Sequence, residues 1–185
     1  MLDIQLKEHT RLRHAMLEKK LLRRVTELQS AGDFQMLLSI LYGFYSAIES
    51  AVQPWFVDDR KYDFDQRRKA WRILDDIREL GGEAQVPDLC TSLPQVNGYH
   101  EALGVMYVVE GSTLGGPVIA RLIQSRLNID RGMSFFLAYG PDAGIMWTAF
   151  RKILSEPYSD AERKSIVNGA QETFLKFDDW LSIHD

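Results

Sequence analysis

Apolar and charged positions recur along this chain with the period of α-helices, about 3.6 residues per turn. Leucines at helical spacing among charged residues mark the first segment, and Gly32 followed by Asp33 ends it and starts the next. The first three predicted helices run from Leu2 to about Leu28, from an N-cap at Asp33 to near Pro54, and from Asp63 or Asp65 to Gly81-Gly82. A long helix then runs from His100 to Leu127, and two more run from Met146 to Leu154 and from Asp160 to Leu181.

Two stretches interrupt this helical pattern. Residues 84–99 contain two prolines and a glycine, which predicts a loop, and residues 130–145 are glycine-rich and irregular. No stretch alternates with period two for long enough to form a sheet. Because no linker or shift in composition divides the chain, we predict one all-α domain over residues 1–185.

The long helix contains an unusual cluster, GSTLGGP at 111–117. An interior glycine costs about 1 kcal/mol relative to alanine, and an interior proline costs about 3 kcal/mol. Gly111 and Gly115 share one face because they are four residues apart, and Tyr107 lies one turn before them on that face. Without side chains there, another group can approach the backbone closely.

Two interpretations of this cluster remain open from the residues alone. One is close packing between helices, or a break after which Pro117 opens a new helix. The other is a bent helix whose bare backbone faces a flat, bulky ligand. A phosphate-binding loop is excluded, because GSTLGGPV lacks the lysine and the following Ser or Thr of that motif.

Composition narrows the chemistry. The chain has 22 basic and 26 acidic residues and a net charge of −4, which argues against a nucleic-acid partner. Its single cysteine, Cys90, excludes an intramolecular disulfide and a thiolate-held zinc or iron–sulfur centre. The N-terminus is charged from its third residue, and the longest apolar run, residues 34–48, is too short to span a bilayer. We therefore expect a cytoplasmic protein that does not use a membrane.

Only four histidines are present, so a metal must rest on one or two imidazoles, on carboxylates, or on a cofactor with its own ligands. His14 shares one side of the first helix with Lys7 and Glu18. A histidine beside an apolar stripe is most often a partly buried, hydrogen-bonded residue. Here a carboxylate could orient the imidazole and a cation could pair with a haem propionate, which makes His14 a candidate axial ligand. The other three histidines are predicted to be exposed or structural: His9, His100 and His184.

At this point a family resemblance is visible. LKEHTRLRHAMLEKKLL resembles the first helix of haem oxygenases, whose pattern is LKxxTxxxHxxxE, and MYVVEGSTLGGPVIARLI resembles their distal helix, particularly the bacterial form YVxEGSTLGG. Further similar segments are LYGFYSAIE, DQRRKAWRILDDIRELGG, FFxxYGxxxGxxW and TFLKFDDWL. The resemblance covers nearly the whole chain in order, and it is strongest to the bacterial enzymes that supply biliverdin to phytochromes.

The resemblance implies a helical fold with haem between a proximal and a distal helix. It implies roles for the following residues: His14 as the axial iron ligand, Glu18 as its neighbour, Gly111 and Gly115 over the haem, Lys7 and Arg151 as propionate partners, and Tyr107 and Phe174 beside the haem. Many haem oxygenases carry an aspartate directly after the first distal glycine, where this chain has Ser112. A hydroxyl can hold a water but cannot supply a carboxylate's charge, so the distal proton relay stays unassigned.

The implied reaction uses haem as both substrate and cofactor, and yields biliverdin, CO and ferrous iron from O2 and external electrons. The chain has no flavin or nicotinamide fingerprint, so we expect a separate donor protein such as a ferredoxin, and a phytochrome as a candidate acceptor of the bilin. The alternative is a haem-binding or haem-sequestering protein without turnover. A thiamin-pyrimidine hydrolase of similar fold would need a cysteine nucleophile, and Cys90 in a proline-bounded loop is poorly placed for that.

Overall fold

The computed structural model describes residues 2–57, 59, 61–82 and 87–184, and these contain seven α-helices and no strand. The helices are α1 (Leu2–Glu27), α2 (Ala31–Val52), α3 (Trp71–Glu79), α4 (Tyr99–Leu127), α5 (Ser134–Leu137), α6 (Ala143–Leu154) and α7 (Asp160–Ser182). Single 3-10 turns lie at Gln53–Trp55, Phe64–Gln66 and Gly140–Asp142. The predicted all-α class is confirmed, and buried apolar side chains from every helix join one core.

The start of α2 differs from the prediction. Ser30 is the N-cap, and its hydroxyl accepts a hydrogen bond from the Asp33 amide at 3.1 Å, while Asp33 Oδ2 accepts one from the Ser30 amide at 2.9 Å. Asp33 is therefore the third residue of the helix, and the predicted N-cap at Asp33 is wrong. Serine and aspartate are both good caps, so only their reciprocal bonding shows which residue has which role.

The third helix is also shorter than predicted, because it begins at Trp71 and not at Asp63 or Asp65. Asp63 has a left-handed backbone, with φ of 47°, and Arg67 is extended, so only one 3-10 turn forms before α3. Two other predicted boundaries shift slightly: α4 begins at Tyr99, and α6 begins at Ala143. The segment 130–145, predicted to be irregular, contains α5 and a 3-10 turn.

Helix α4 lies in the middle of the fold against α7. Glycines let the two backbones touch, because a Cβ at Gly104 would overlap the Ile166 carbonyl and a Cβ at Gly169 would overlap the Glu101 carbonyl. By length and composition α4 could cross a membrane, but 56% of its most apolar window is buried inside the fold. That burial is typical of a core helix.

Candidate active site

The glycines of the 111–117 cluster have different surroundings. A Cβ at Gly116 would overlap the Phe136 carbonyl oxygen, so this glycine lets the α5 backbone pack directly on α4. A Cβ at Gly115 would meet no described atom within 4 Å, and one at Gly111 would meet only the Trp147 ring, at 3.7 Å. The interpretation as close helix packing is therefore confirmed at Gly116, while Gly115 and Gly111 leave space beside the helix that a ligand could fill. No new helix starts at Pro117, because α4 continues through it to Leu127.

Beside the bare glycine face, α4 carries a stripe of apolar side chains without cover. Leu114, Val118 and Leu122 follow one another at four-residue spacing and are 46%, 56% and 39% exposed. Leaving three large aliphatic side chains in water on a core helix is unfavourable, and contiguous exposed apolar surface of this kind marks binding grooves. The surface fits a flat, largely apolar ligand.

Helices α1 and α4 run in the same direction, and two contacts fix their register. The Tyr107 phenol of α4 lies beside Thr10 of α1, and Arg126 near the end of α4 donates from Nε to the Leu28 carbonyl at 2.9 Å. His14 and Gly111 each lie four residues, one helical turn, beyond the Tyr107–Thr10 contact. The imidazole and the bare glycine surface are therefore level with each other on neighbouring helices.

His14 is available for ligation. Its side chain is 62% exposed, and its ring meets the Phe174 ring edge-on with 5.8 Å between centroids. Its Nδ1 lies 3.9 Å from Glu18 Oε2, which is beyond hydrogen-bond distance. Its Nε2 has no hydrogen-bond partner among the described residues. By contrast, the other histidine of α1, His9, points its Nδ1 at the Gln5 carbonyl, 2.8 Å away.

Two cations were predicted to bind the anionic edge of a ligand, and the structure places both near the start of α1. Arg151 of α6 donates from Nη2 to Asp3 Oδ2 at 2.6 Å, and this bond holds the pKa of Asp3 below its usual value. Lys7 lies one turn beyond Asp3 on α1 and is exposed. Arg151 therefore lies near the first turn of α1, at one end of the candidate site, and is paired there with a carboxylate.

Ser112 lies at the edge of the bare face and makes three hydrogen bonds. Its hydroxyl donates to the Val109 carbonyl at 2.7 Å and accepts from Arg68 Nη2 at 2.7 Å and from the Tyr45 hydroxyl at 3.3 Å. The Arg68 guanidinium also stacks on the Phe135 ring, 4.2 Å from its centroid, and donates to Val109 O at 3.0 Å. A buried cation thus stands next to the serine that occupies the aspartate position.

Behind α4 lies a buried polar cluster centred on Glu110, which is 1% exposed. Arg67 Nη1 donates to Glu110 Oε2 at 3.3 Å, and the Tyr62 and Tyr139 hydroxyls donate to the same carboxylate at 3.2 Å. Burial raises the pKa of Glu110, and the Arg67 charge opposes that rise. Burial also raises the pKa of Tyr139 to about 12, so the cluster stays protonated at its phenols.

Sequence reasoning missed Arg67, Arg68, Tyr45 and Glu110. The two arginines were placed in a longer third helix without a role, and the structure buries both side chains. One sequence signal was available, since Glu110 interrupts the apolar run MYVVEG. A carboxylate at such a position needs a buried partner.

Comparison with known proteins assigns the chain to a family. The family model "Heme oxygenase" matches residues 1–182. The chain belongs to the haem oxygenase family. A haem oxygenase of Xanthomonas campestris is 30% identical over 152 residues, which cover 80% of this chain and 87% of that protein. The family consists of enzymes that cleave haem to biliverdin, so this haem oxygenase is an enzyme and not a sequestering protein.

Solved haem oxygenases have the same fold. The Leptospira interrogans structure aligns with a TM-score of 0.80 at 20% identity, covering 98% of both chains. The Neisseria meningitidis structure, with NO and CO bound, aligns at 0.79 with 21% identity, covering 99% of this chain and 91% of that one. The Synechocystis structure in complex with haem aligns at 0.79 with 18% identity, covering 100% and 92%. Within the described ranges of this chain, no group of three His, Cys, Asp or Glu is placed to hold a metal ion.

Proposed function

We propose that haem binds in the groove between α1 and α4, with its iron on His14 and its ring over Gly111 and Gly115. The observation that carries this proposal is the register of the two helices, which sets the exposed imidazole level with the bare glycine face. The uncovered apolar stripe at Leu114, Val118 and Leu122 supports it, because a porphyrin edge would remove that surface from water. Phe174 would pack beside the imidazole and limit its rotation.

Lys7 and Arg151 would hold the propionates at the end of the groove that lies beside the first turns of α1. Propionate pairing fixes the rotation of the ring about its normal, and that rotation decides which meso carbon faces the reacting oxygen. Tyr107, which lies beside Thr10 of α1, would close the same end of the groove. Glu18, 3.9 Å from His14 Nδ1, could become a hydrogen-bond acceptor for the ring after a small side-chain rotation.

The reaction assigns simple physical tasks to these residues. When bound, haem supplies the iron that activates O2 and the ring that is oxidised. His14 would hold the iron through its imidazole, and Gly111 and Gly115 would leave room for O2 because they lack side chains. Ser112 provides a hydroxyl at the edge of that space, where it can donate or accept a hydrogen bond.

Electrons would come from a separate donor docking on α1. Its exposed surface includes the apolar side chains of Leu12 and Met16 among the exposed cations Arg11, Arg13 and Lys19. This combination suits an acidic donor such as a ferredoxin, since opposite charges speed encounter. Transfer of the bilin to a phytochrome, and a cytoplasmic location for both steps, complete the proposal.

The test is reconstitution with hemin followed by supply of electrons from ascorbate or ferredoxin in air. Loss of the Soret band with growth of a biliverdin band is the expected result. An unchanged Soret band in the presence of both donors would contradict turnover at this site. Because hemin binding is measured before the reductant is added, failure to bind and failure to react are distinguished.

A further inference from the structure

Trp147 of α6 lies at one edge of the bare glycine face of α4. A Cβ at Gly111 would lie 3.7 Å from Cη2 and 3.8 Å from Cζ3 of its indole. A Cβ at Gly115, one helical turn further along α4, would meet no described atom within 4 Å. The surface beside α4 is therefore open at Gly115 and bounded by an aromatic ring at Gly111.

The part of the indole that faces Gly111 is apolar. Cη2 and Cζ3 belong to the six-membered ring and lie at its far end, away from the ring nitrogen Nε1. This edge packs well against carbon, but it offers a carboxylate no hydrogen-bond donor. A carboxylate held against it would lose water without gaining a partner, which is unfavourable. The indole thus accepts the apolar part of a ligand and disfavours its anionic part.

The next turn of α6 has the opposite chemistry. Arg151 follows Trp147 by four residues, so both side chains leave the helix on the same face, and its guanidinium reaches Asp3 of α1. This face of α6 presents an apolar edge at Gly111 and a cation one turn later. For a flat ligand with carboxylates on one side only, the two neighbours distinguish one orientation from another.

Aromatic packing holds the indole in place. Its ring centroid lies 5.8 Å from that of Tyr107 on α4 and 5.8 Å from that of Phe150 on its own helix. Phe150 is fully buried, so the indole rests on the core on one side and contacts α4 on the other. A ring packed between two others has few rotamers available, and it can act as a fixed wall.

The buried cluster centred on Glu110 fixes the backbone next to this wall. Arg67 Nη1 donates to Glu110 Oε2 at 3.3 Å and to the Met146 carbonyl at 3.2 Å. The Nε of the same guanidinium donates to the Tyr62 carbonyl at 2.9 Å. Met146 directly precedes Trp147 on α6. Because a guanidinium is planar and rigid, these bonds hold the start of α6 at a set distance from α4.

We propose that Trp147 is a second determinant of the rotation of haem about its normal, and so of the meso carbon that is oxidised, with Arg67 as its positioning residue. This inference rests on the proposed haem site. Lys7 and Arg151 select an orientation by attracting the propionates. Trp147 excludes the orientations that would press a propionate against its apolar edge at Gly111. Discrimination of this kind commonly needs both an attractive and a repulsive element.

The first test reads the orientation of haem without turnover. In proton NMR spectra of the ferric, cyanide-ligated complex, each orientation of the ring gives its own set of shifted methyl signals. Trp147→Gln supplies donors that a carboxylate can use, whereas Trp147→Phe keeps an apolar aromatic edge. We expect parent-like signals from Trp147→Phe. In Trp147→Gln the share of a minor orientation should rise about tenfold, the factor that corresponds to one unpaired polar contact.

Trp71→Gln is the matched control. Trp71 is also an exposed tryptophan, but it lies on α3, which packs on α2 and α5. It should give the spectrum of the parent. Hemin affinity and the histidine-type absorption spectrum are measured for every variant, so a failure of the haem site itself is seen separately from a change of orientation.

Trp147→Lys gives a second reading at the same position, because a cation there would attract a carboxylate and enlarge the minor population further. A parent-like orientation in whichever of Trp147→Gln and Trp147→Lys folds and binds hemin would overturn the proposal.

The second test is the ratio of biliverdin isomers, separated by chromatography after turnover. The isomer ratio of Trp147→Gln should change in step with its NMR populations, and that of Trp147→Phe should match the parent. A changed orientation with an unchanged isomer ratio would contradict the link to the oxidised carbon.

Arg67→Lys tests the positioning role. Lysine keeps the positive charge beside Glu110, but it cannot bond Glu110 and both backbone carbonyls together. The orientation and the isomer ratio should shift in the same direction as in Trp147→Gln, with hemin affinity within about twofold of the parent's, a change of less than about 0.5 kcal/mol. A parent-like orientation in folded Arg67→Lys would contradict the role of Arg67.

Discussion

The Arg151 guanidinium lies 2.6 Å from the Asp3 carboxylate, so a cation proposed to meet a haem propionate already has an anionic partner on α1. The pair joins α6 to the start of α1. It is largely exposed, with 52% of the Arg151 side chain in contact with solvent. A propionate would therefore compete with Asp3 for the same cation.

The first prediction is that Asp3→Asn tightens hemin binding by up to about fivefold at low salt, the upper range for an exposed ion pair. The gain should disappear at high salt, because exposed pairs are screened. Titration of hemin by absorbance at two salt concentrations checks it. Arg151 lowers the pKa of Asp3, so the pair also contributes to the free energy of unfolding in a pH-dependent way. That contribution is complete above the ordinary pKa of 3.8 and is lost as pH falls through the lowered pKa. Weaker binding by Asp3→Asn at low salt would contradict the competition.

The second prediction concerns the iron ligand. His14→Ala should remove the histidine-type spectrum of the hemin complex, and added imidazole should restore it in part. His9→Ala is the matched control on the same helix, because the His9 ring is exposed and faces only the Gln5 carbonyl. The absorption spectra of the two ferric complexes decide the matter. Unchanged ligation in His14→Ala would remove this residue from its proposed role.

The third prediction separates two neighbouring glycines. Gly116→Ala should destabilise the protein by about 1–3 kcal/mol, because the new Cβ overlaps the Phe136 carbonyl. Gly115→Ala should leave stability equal or higher by up to about 1 kcal/mol, since alanine is the better helix former and its Cβ meets open space. It should weaken hemin binding instead. Urea unfolding and hemin titration of both variants give the comparison, and equal loss of stability in the two would contradict it.

The fourth prediction concerns the buried Glu110 cluster. Arg67→Met should destabilise the protein by about 3 kcal/mol at pH 7, because it leaves a buried carboxylate without its cation. Glu110→Gln should also destabilise the protein, because its amide keeps one acceptor oxygen for three donors and leaves the buried Arg67 without an anion. Since the pKa of Glu110 is raised, its protonated form favours folding, so stability declines as pH rises from 4.5 through the raised value.

That decline gives the fourth prediction its control. The decline in stability with rising pH should be steeper in Arg67→Met than in the parent. It should be absent in Glu110→Gln, which has no carboxyl at this position. Urea unfolding between pH 4 and pH 8 measures it. A decline of the same size in Glu110→Gln as in the parent would contradict this account of the cluster.

The fifth prediction tests docking of the electron donor on α1. Arg11→Glu should reduce ferredoxin-supported turnover severalfold at low salt and leave ascorbate-supported turnover unchanged, since ascorbate needs no protein interface. Rising ionic strength should reduce the ferredoxin rate of the parent as well. Steady-state rates with each donor across a salt series test this. A ferredoxin rate indifferent to salt would place the docking surface elsewhere.

Helical periodicity and two motifs were enough to predict the all-α class, the long helix through Pro117 and the family. These features are local, because apolar spacing and glycine content are written in consecutive residues. The starts of helices were predicted less well where two neighbouring residues were equally suitable as N-caps. Ser30 and Asp33 are both good caps, and nothing before α3 indicates the left-handed turn at Asp63 that delays it.

By itself, the sequence determined which residues could carry the chemistry: one suitable histidine, His14, and a helix with bare glycines. Only the tertiary structure decided which glycine packs against a neighbouring backbone and which stays uncovered, since that depends on where α5 crosses α4. It also buried two arginines to which the sequence gave no role, so that Arg67 meets Glu110 and Arg68 meets Ser112. The physical reason is that burial of a charge is set by residues distant in sequence, which must supply its partners.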